Sequence, residues 1–108
     1  MHAIVFDLDT ELLDKHHPGS YGRNAYEDIR RVLEEHGFER QQGSVYFASS
    51  DKIDAVKCVL AVQALVAKHP WFRTCVTDIR MLRIEDNNDL MPAVGDYVLP
   101  LAPSAAAE

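Results

Sequence analysis

The order of helical and extended segments in this 108-residue chain predicts an α+β fold of the ferredoxin-like βαββαβ plan. Three observations support this prediction. The chain opens with a run of strand-forming residues, two segments with helical periodicity follow, and short extended pieces lie between and after those segments. The plan places two helices on one face of a four-stranded antiparallel sheet.

The first strand is expected over residues 2–9, which are rich in strand formers. Alternation puts Ile4 and Phe6 on one face, and Asp7 and Asp9 on the other. We expect the helices to cover the first of these faces. The opposite face starts apolar and ends in two carboxylates, so it must meet either water or another molecule. A half-apolar sheet face on a small domain predicts a homodimer interface.

The connection over residues 10–22 contains two histidines, a proline and two glycines, and we predict a loop without regular structure. Loops of this length are uncommon in compact domains and are often functional. A variable surface insertion is the alternative interpretation.

Two helices are predicted from their end signals. Asn24 can cap the first helix, and Gly37 ends it as a left-handed cap. The second helix is expected over residues 52–68, capped by Ser50 or Asp51. Apolar residues cover much of its circumference, so we expect this helix to lie deep on the sheet.

The remaining segments complete the sheet. Residues 38–49 form two extended pieces hinged at residues 42–43, and the last strand covers residues 78–85. We take the first and last strands as the two central neighbours of the sheet, which places Asp7 near the last strand. The ferredoxin-like domain is then residues 1–90. Residues 91–108 form a C-terminal extension, partly disordered, in which residues 91–99 could add an edge element.

Charge and composition exclude several classes of function. The net charge of −6 argues against a long nucleic-acid track, which needs many basic contacts, but a compact site touching a few phosphates is still compatible with it. No run of eighteen apolar residues and no secretory signal is present, so we expect a cytoplasmic protein with no membrane partner. Cys58 and Cys75 match no metal or redox spacing and are expected to be buried thiols.

Asp7 is the strongest candidate for chemistry, because an acidic residue inside a hydrophobic strand needs compensation. An arginine such as Arg80 or Arg83, a metal ion or water could provide it. Strand alternation separates Arg80 from Arg83, so at most one of them can lie beside Asp7. Asp7 and Asp9, about 7 Å apart along a strand, could bracket a hydrated magnesium ion. The structural alternative is an aspartate that pins the central strands through an ion pair.

Two further patterns each have a functional and a structural interpretation. Residues 7–10 are similar to the phosphatase loop of haloacid dehalogenase-type hydrolases, but Thr10 directly follows Asp9 where that family usually has glycine. A chain of 108 residues also leaves no room for that family's doubly wound sheet. Alternation places the hydroxyls of Ser44 and Tyr46 on one face of a strand, where they could hold a phosphate or simply cap a turn.

Five segments, in order over residues 3–85, together resemble the virulence-associated protein D (VapD) family. They are AIVFDL (3–8), AYxDI (25–29), GF (37–38), QGSVY (42–46) and VxDIRxxRIE (76–85). The resemblance implies a ferredoxin-like homodimer related to small CRISPR-associated adaptation nucleases. It also implies endoribonuclease activity, in some members as a toxin controlled by a small antitoxin protein. The family's catalytic or metal-binding carboxylate matches Asp7.

The expected function is therefore cleavage of single-stranded RNA or mRNA by phosphodiester hydrolysis, with a toxin–antitoxin role as one form of that activity. The assigned candidates are Asp7 and Ser44 for catalysis, Tyr46, Arg80 and Arg83 for RNA binding, and Asp7 and Asp9 for Mg²⁺. The alternative is a non-catalytic homodimeric protein-interaction module, supported by the acidic charge. That alternative predicts an Asp7 buried against an arginine.

Overall fold

The computed structural model describes residues 1–19 and 23–95 of the chain. The elements run in the order β1 (His2–Leu8), α1 (Thr10–His16), α2 (Arg23–Glu35), β2 (Phe38–Gln42), β3 (Val45–Ala48), α3 (Ala55–Lys68), α4 (Trp71–Cys75), β4 (Val76–Arg83) and α5 (Met91–Val94). The four strands form one sheet in the order β2-β3-β1-β4, and every neighbouring pair is antiparallel. The predicted α+β, ferredoxin-like plan is confirmed.

Strand β1 lies at the centre of the sheet and separates two different surfaces. Ile4 and Phe6 are buried among the core residues that the helices cover. Phe6 stacks on Tyr46 at 6.1 Å between ring centroids and meets the edge of Phe72 at 5.8 Å. The predicted alternation of β1 is therefore confirmed.

Strand β4 pairs with β1, as predicted, but it is not a central strand. In the order β2-β3-β1-β4 it forms one edge of the sheet, and β3 is the second central strand. The expectation of two central neighbours was wrong on this point. The prediction that Asp7 lies near the last strand is confirmed, because Asp7 lies directly opposite Asp78 of β4.

The predicted loop after β1 begins with a helix, α1. Asp9 caps it, since its side chain accepts a hydrogen bond from the Leu12 N–H at 2.9 Å. The Asp9 backbone N–H donates to the Cys75 carbonyl at 2.9 Å, and Leu13 is buried. These contacts hold a seven-residue helix that would be marginal in isolation. Residues 20–22 lie outside the described part.

Helix α2 matches its prediction closely. It begins at Arg23, so Asn24 lies inside the first turn rather than before it. Gly37 follows the helix with a φ of +89°, the left-handed conformation that its position after the helix required.

Helix α3 begins three residues later than predicted and is less deeply buried. Asp54 caps it, accepting from the Lys57 N–H at 2.9 Å, in place of Ser50 or Asp51. Only one face is covered, the one carrying Cys58, Ala61 and Leu65. Three apolar side chains of the opposite face are about half exposed or more: Val56 (64%), Val59 (51%) and Leu60 (52%). The predicted deep placement was therefore wrong.

His17 is a buried polar residue that the sequence did not single out. Its Nδ1 accepts from the Gly19 N–H at 2.9 Å, so the neutral ring carries its proton on Nε2. Nε2 then donates to Asp28 Oδ2 at 2.9 Å. The ring also packs edge-on against Trp71, with centroids 4.6 Å apart. This network ties the end of α1 to α2 and α4.

The C-terminal extension is described only as far as residue 95. Met91–Val94 form the short helix α5, and no edge strand is formed by residues 86–95. Residues 91–94 are thus helical where an edge element was predicted over residues 91–99. The rest of that prediction, and the prediction of partial disorder, fall on residues 96–108, outside the described part. Within residues 1–19 and 23–95, no helix is long and apolar enough to cross a membrane.

Candidate active site

Asp7 lies near the end of β1, on the sheet face opposite the core, which we call the open face. Because Ile4 and Phe6 point into the core, the strand's alternation turns Asp7 outward, and its side chain is exposed. The pairing with β4 shifts register between Asp7 and Leu8. Thr77 Oγ1 donates to the Asp7 backbone carbonyl at 3.3 Å, which fixes the backbone at this point.

An open groove of about 490 Å³ surrounds this carboxylate. Ser44 and Asp78 line it together with Asp7, and the other lining residues are Val5, Phe6, Gln42, Gly43 and Val45. The turn between β2 and β3 forms one wall, with Gly43 at a φ of +45°. The Phe6 N–H donates to the Ser44 carbonyl at 3.2 Å and holds this turn beside β1. The predicted pair Asp7 and Ser44 is thus brought together.

Arg80 reaches the site through Asp78. It lies opposite Val5, so it shares the open face with Asp7 and Asp78. The Arg80 Nε–H is shared between both carboxylate oxygens of Asp78, at 3.1 and 3.2 Å. Among the described residues Asp7 itself forms no ion pair, and its carboxylate is exposed to water.

The structure corrects the placement of Tyr46 and separates Arg83 from the groove. Tyr46 is 1% exposed, lies opposite Ile4 and packs in the core, where burial raises the pKa of its hydroxyl. Ser44 belongs to the turn before β3, so the two hydroxyls do not share a face as predicted. Arg83 lies on the helix side of β4, opposite His2, and pairs with Glu85 at 2.9 Å.

The two predicted magnesium ligands differ in how many carboxylate oxygens they have available for a metal ion. Asp7 is exposed, whereas one carboxylate oxygen of Asp9 already accepts the Leu12 N–H as the cap of α1. In residues 1–19 and 23–95 no group of three or more His, Cys, Asp or Glu side chains could hold a metal ion. A magnesium site at Asp7 and Asp9 remains a prediction.

Sequence reasoning placed Asp78 in a motif but gave it no role. The predicted pairing of β1 with β4 could have pointed to Asp78, because antiparallel strands place a residue of one strand directly opposite a residue of the other. Gln42 and Gly43, which form part of the groove wall, were noted only as a hinge.

The chain is similar to known proteins over most of its length. The family model for CRISPR associated protein Cas2 matches residues 1–91. Endoribonuclease VapD 2 of Riemerella anatipestifer is 53% identical over 94 residues, which cover 87% of this chain and 99% of that protein. An endoribonuclease VapD homolog of Helicobacter pylori is 51% identical, covering 87% and 96%. Endoribonuclease VapD of Dichelobacter nodosus is 36% identical, covering 87% and 97%. The chain therefore belongs to the Cas2 family and, within it, to the VapD proteins.

Proposed function

We propose that this chain is an endoribonuclease that cleaves single-stranded RNA in the groove around Asp7. The observation that carries the proposal is the exposed Asp7 carboxylate, which lies beside Ser44 and has no ion-pair partner among the described residues. Relatives named endoribonuclease VapD support the proposal, since this chain aligns with nearly the whole length of those proteins. A carboxylate that served only to pin the strands would be paired and shielded from water.

Asp7 and Ser44 of the groove and the neighbouring Arg80 can each take one part in phosphodiester cleavage. Asp7 would act as general base, taking the proton from the attacking oxygen of either the RNA 2′-hydroxyl or a water molecule. As this oxygen bonds to phosphorus, the P–O bond to the leaving oxygen breaks, and that oxygen takes a proton from water. Arg80 would neutralise charge on the phosphate oxygens, for which a guanidinium has suitable paired donors. The Ser44 hydroxyl can donate a hydrogen bond to a phosphate oxygen.

Magnesium fits this site in a limited way. Mg²⁺ is commonly held by one or two carboxylates and keeps several waters, so the exposed Asp7 carboxylate could hold it without a protein cage. Asp9 could contribute only the oxygen that does not cap α1. When bound, the ion would stabilise negative charge on the scissile phosphate.

The proposed working form is a homodimer built across the open sheet face. Val5, Val45 and Phe47 lie on this face and are partly exposed, and Leu82 beside them is 45% exposed. A second subunit seated here would bury these side chains. In a toxin–antitoxin system, a small antitoxin protein would inhibit by covering the same groove.

The non-catalytic interaction module is the weaker proposal. It expects Asp7 buried against an arginine, but Asp7 is exposed and the nearby Arg80 is engaged by Asp78. The acidic charge of the chain is the one feature that favours it.

The test compares wild type with Asp7→Asn, which keeps the size of the side chain and removes its charge. A labelled single-stranded RNA is incubated with each protein after identical purification, and Glu85→Gln serves as a control that removes an exposed carboxylate outside the groove. Loss of a general base costs on the order of 10²–10⁴ in rate, so we expect at least a hundredfold loss for Asp7→Asn alone. Equal cleavage by all three proteins would mean a contaminating nuclease and would end the proposal.

Magnesium is tested in the same assay. If the ion takes part, a chelator abolishes cleavage and added Mg²⁺ restores it. Cleavage that persists unchanged in chelator would assign the whole reaction to Asp7 acting without a metal.

A further inference from the structure

The pairing of Asp78 with Arg80 leaves part of the arginine unused. A guanidinium carries five N–H donors, and only the Nε–H is directed at the Asp78 carboxylate. The terminal Nη1 and Nη2 groups donate to no residue in the described part of the chain. Two parallel donors of this kind match the spacing of two phosphate oxygens.

We propose that Asp78 is a positioning residue, which holds Arg80 by its Nε–H so that the terminal amino groups bind the RNA phosphate beside Asp7. This inference rests on the proposed endoribonuclease function. The register supports it, because Asp78 lies directly opposite Asp7 and Arg80 directly opposite Val5. The register therefore directs all of these side chains to one face, where Asp7 and Asp78 line the groove and Arg80 lies next to Asp78.

The charges on this face agree with such a role. Two carboxylates directly opposite each other on neighbouring strands repel. The contact with Arg80 neutralises Asp78, so Asp7 is left as the free negative group. Exposed ion pairs contribute little to folding, and the Arg80 and Asp78 side chains are 68% and 48% exposed. An effect of Asp78 on catalysis can therefore be separated from an effect on stability.

The same strand offers a matched control. Arg83 and Glu85 are also two residues apart, and Arg83 Nε lies 2.9 Å from Glu85 Oε2. Arg83 lies opposite His2, on the helix side of β4, and so does not share the groove. The Arg83–Glu85 pair therefore has the same chemistry as the Arg80–Asp78 pair but lies away from the proposed RNA groove.

The experiment measures steady-state cleavage of a single-stranded RNA by wild type, Asp78→Asn, Arg80→Lys and the double variant. Lysine keeps the charge and loses the paired donors. We expect each single variant to raise KM on the order of tenfold, with a smaller change in kcat, because phosphate binding is lost. The double variant should be no worse than Arg80→Lys alone, since Asp78 acts only through Arg80. Asp78→Glu should recover part of the loss.

The control variants Glu85→Gln and Arg83→Lys should match wild type, and all melting temperatures should agree within a few degrees. Additive losses in the double variant would show that Asp78 acts independently and overturn the inference. A wild-type KM for Asp78→Asn would overturn it as well. If Asp7→Asn is inactive in the same assay, these failures concern Asp78 alone. If Asp7→Asn cleaves normally, the proposed function itself fails.

Discussion

The role of Tyr46 depends on which face of β3 its side chain occupies. Its ring lies in the core against Phe6, and its hydroxyl donates to no described residue. We expect Tyr46→Phe to change the free energy of unfolding by no more than about 1 kcal/mol, because only the hydroxyl is lost. Tyr46→Ala should cost about 3–5 kcal/mol, as for other buried aromatic residues. Urea unfolding measures both.

RNA cleavage and the pH dependence of stability give two further tests of Tyr46→Phe. Tyr46→Phe should cleave RNA like wild type, and loss of cleavage with an intact fold would return Tyr46 to the site. Burial raises the pKa of Tyr46, so the unfolded chain, with an ordinary tyrosine pKa of about 10, releases the proton first. This contribution to stability is complete below that pH and is lost as pH rises towards the pKa of the folded state. Tyr46→Phe should therefore lose less stability at alkaline pH.

Asp9 explains why one helix could not be predicted. An aspartate two residues after Asp7 in a strand pattern indicated a metal pair, but the strand ends at Leu8 and Asp9 caps α1. Asp9 followed by Thr10, Glu11 and two leucines is also a helix start, so two interpretations competed for one residue. Tertiary contacts favour the helix, through buried Leu13 and the bond from Asp9 to Cys75. Contacts of this kind are not visible in local sequence.

Helix α3 provides a stability test at the scale of one element. Leu60 and Leu65 lie on the same helix, but Leu60 is 52% exposed and Leu65 is 1% exposed. Leu65→Ala should destabilise the protein by about 2–5 kcal/mol because it leaves a cavity in the core. Leu60→Ala should change stability by no more than about 1 kcal/mol, since much of its side chain already meets water. Chemical denaturation of the two variants gives the comparison.

Equal and large losses at both positions would contradict the exposed face of α3 and restore the deep placement that its apolar pattern predicted. The pattern alone could not decide this point. Hydrophobic residues around a whole helix indicate burial on all sides, but they do not say which element covers each side.

For the whole molecule, sequence predicted the plan and the meeting of β1 with β4, because the order of elements leaves few ways to build such a sheet. It misplaced β4, which is an edge strand. It also grouped Ser44 with Tyr46, because it could not show that the turn extends through Ser44 and frees that residue from strand alternation. The candidate site was therefore predicted in outline, with Asp7 and Ser44 together and Asp78 without a role.

The dimer is the remaining prediction at this scale. Phe47 lies opposite Ala3 on the open sheet face and lines a groove with Val45, Leu90 and Met91. A glutamate here would place charge inside the proposed interface, where desolvation without a partner is costly. Sedimentation should give wild type twice the mass of one chain. Phe47→Glu should be monomeric at the same concentration, and Leu60→Glu, which puts the same charge on α3, should stay dimeric.

Cleavage by these two variants then shows whether the second subunit belongs to the site. If the partner completes the groove, Phe47→Glu should lose activity together with dimerisation, and raising its concentration should restore both in parallel. Leu60→Glu should keep both. A monomeric Phe47→Glu that cleaves like wild type would mean that Asp7, Ser44 and Arg80 of one chain suffice. A wild type that stays monomeric at high concentration would remove the shared groove, while the α+β fold and its exposed Asp7 would stand.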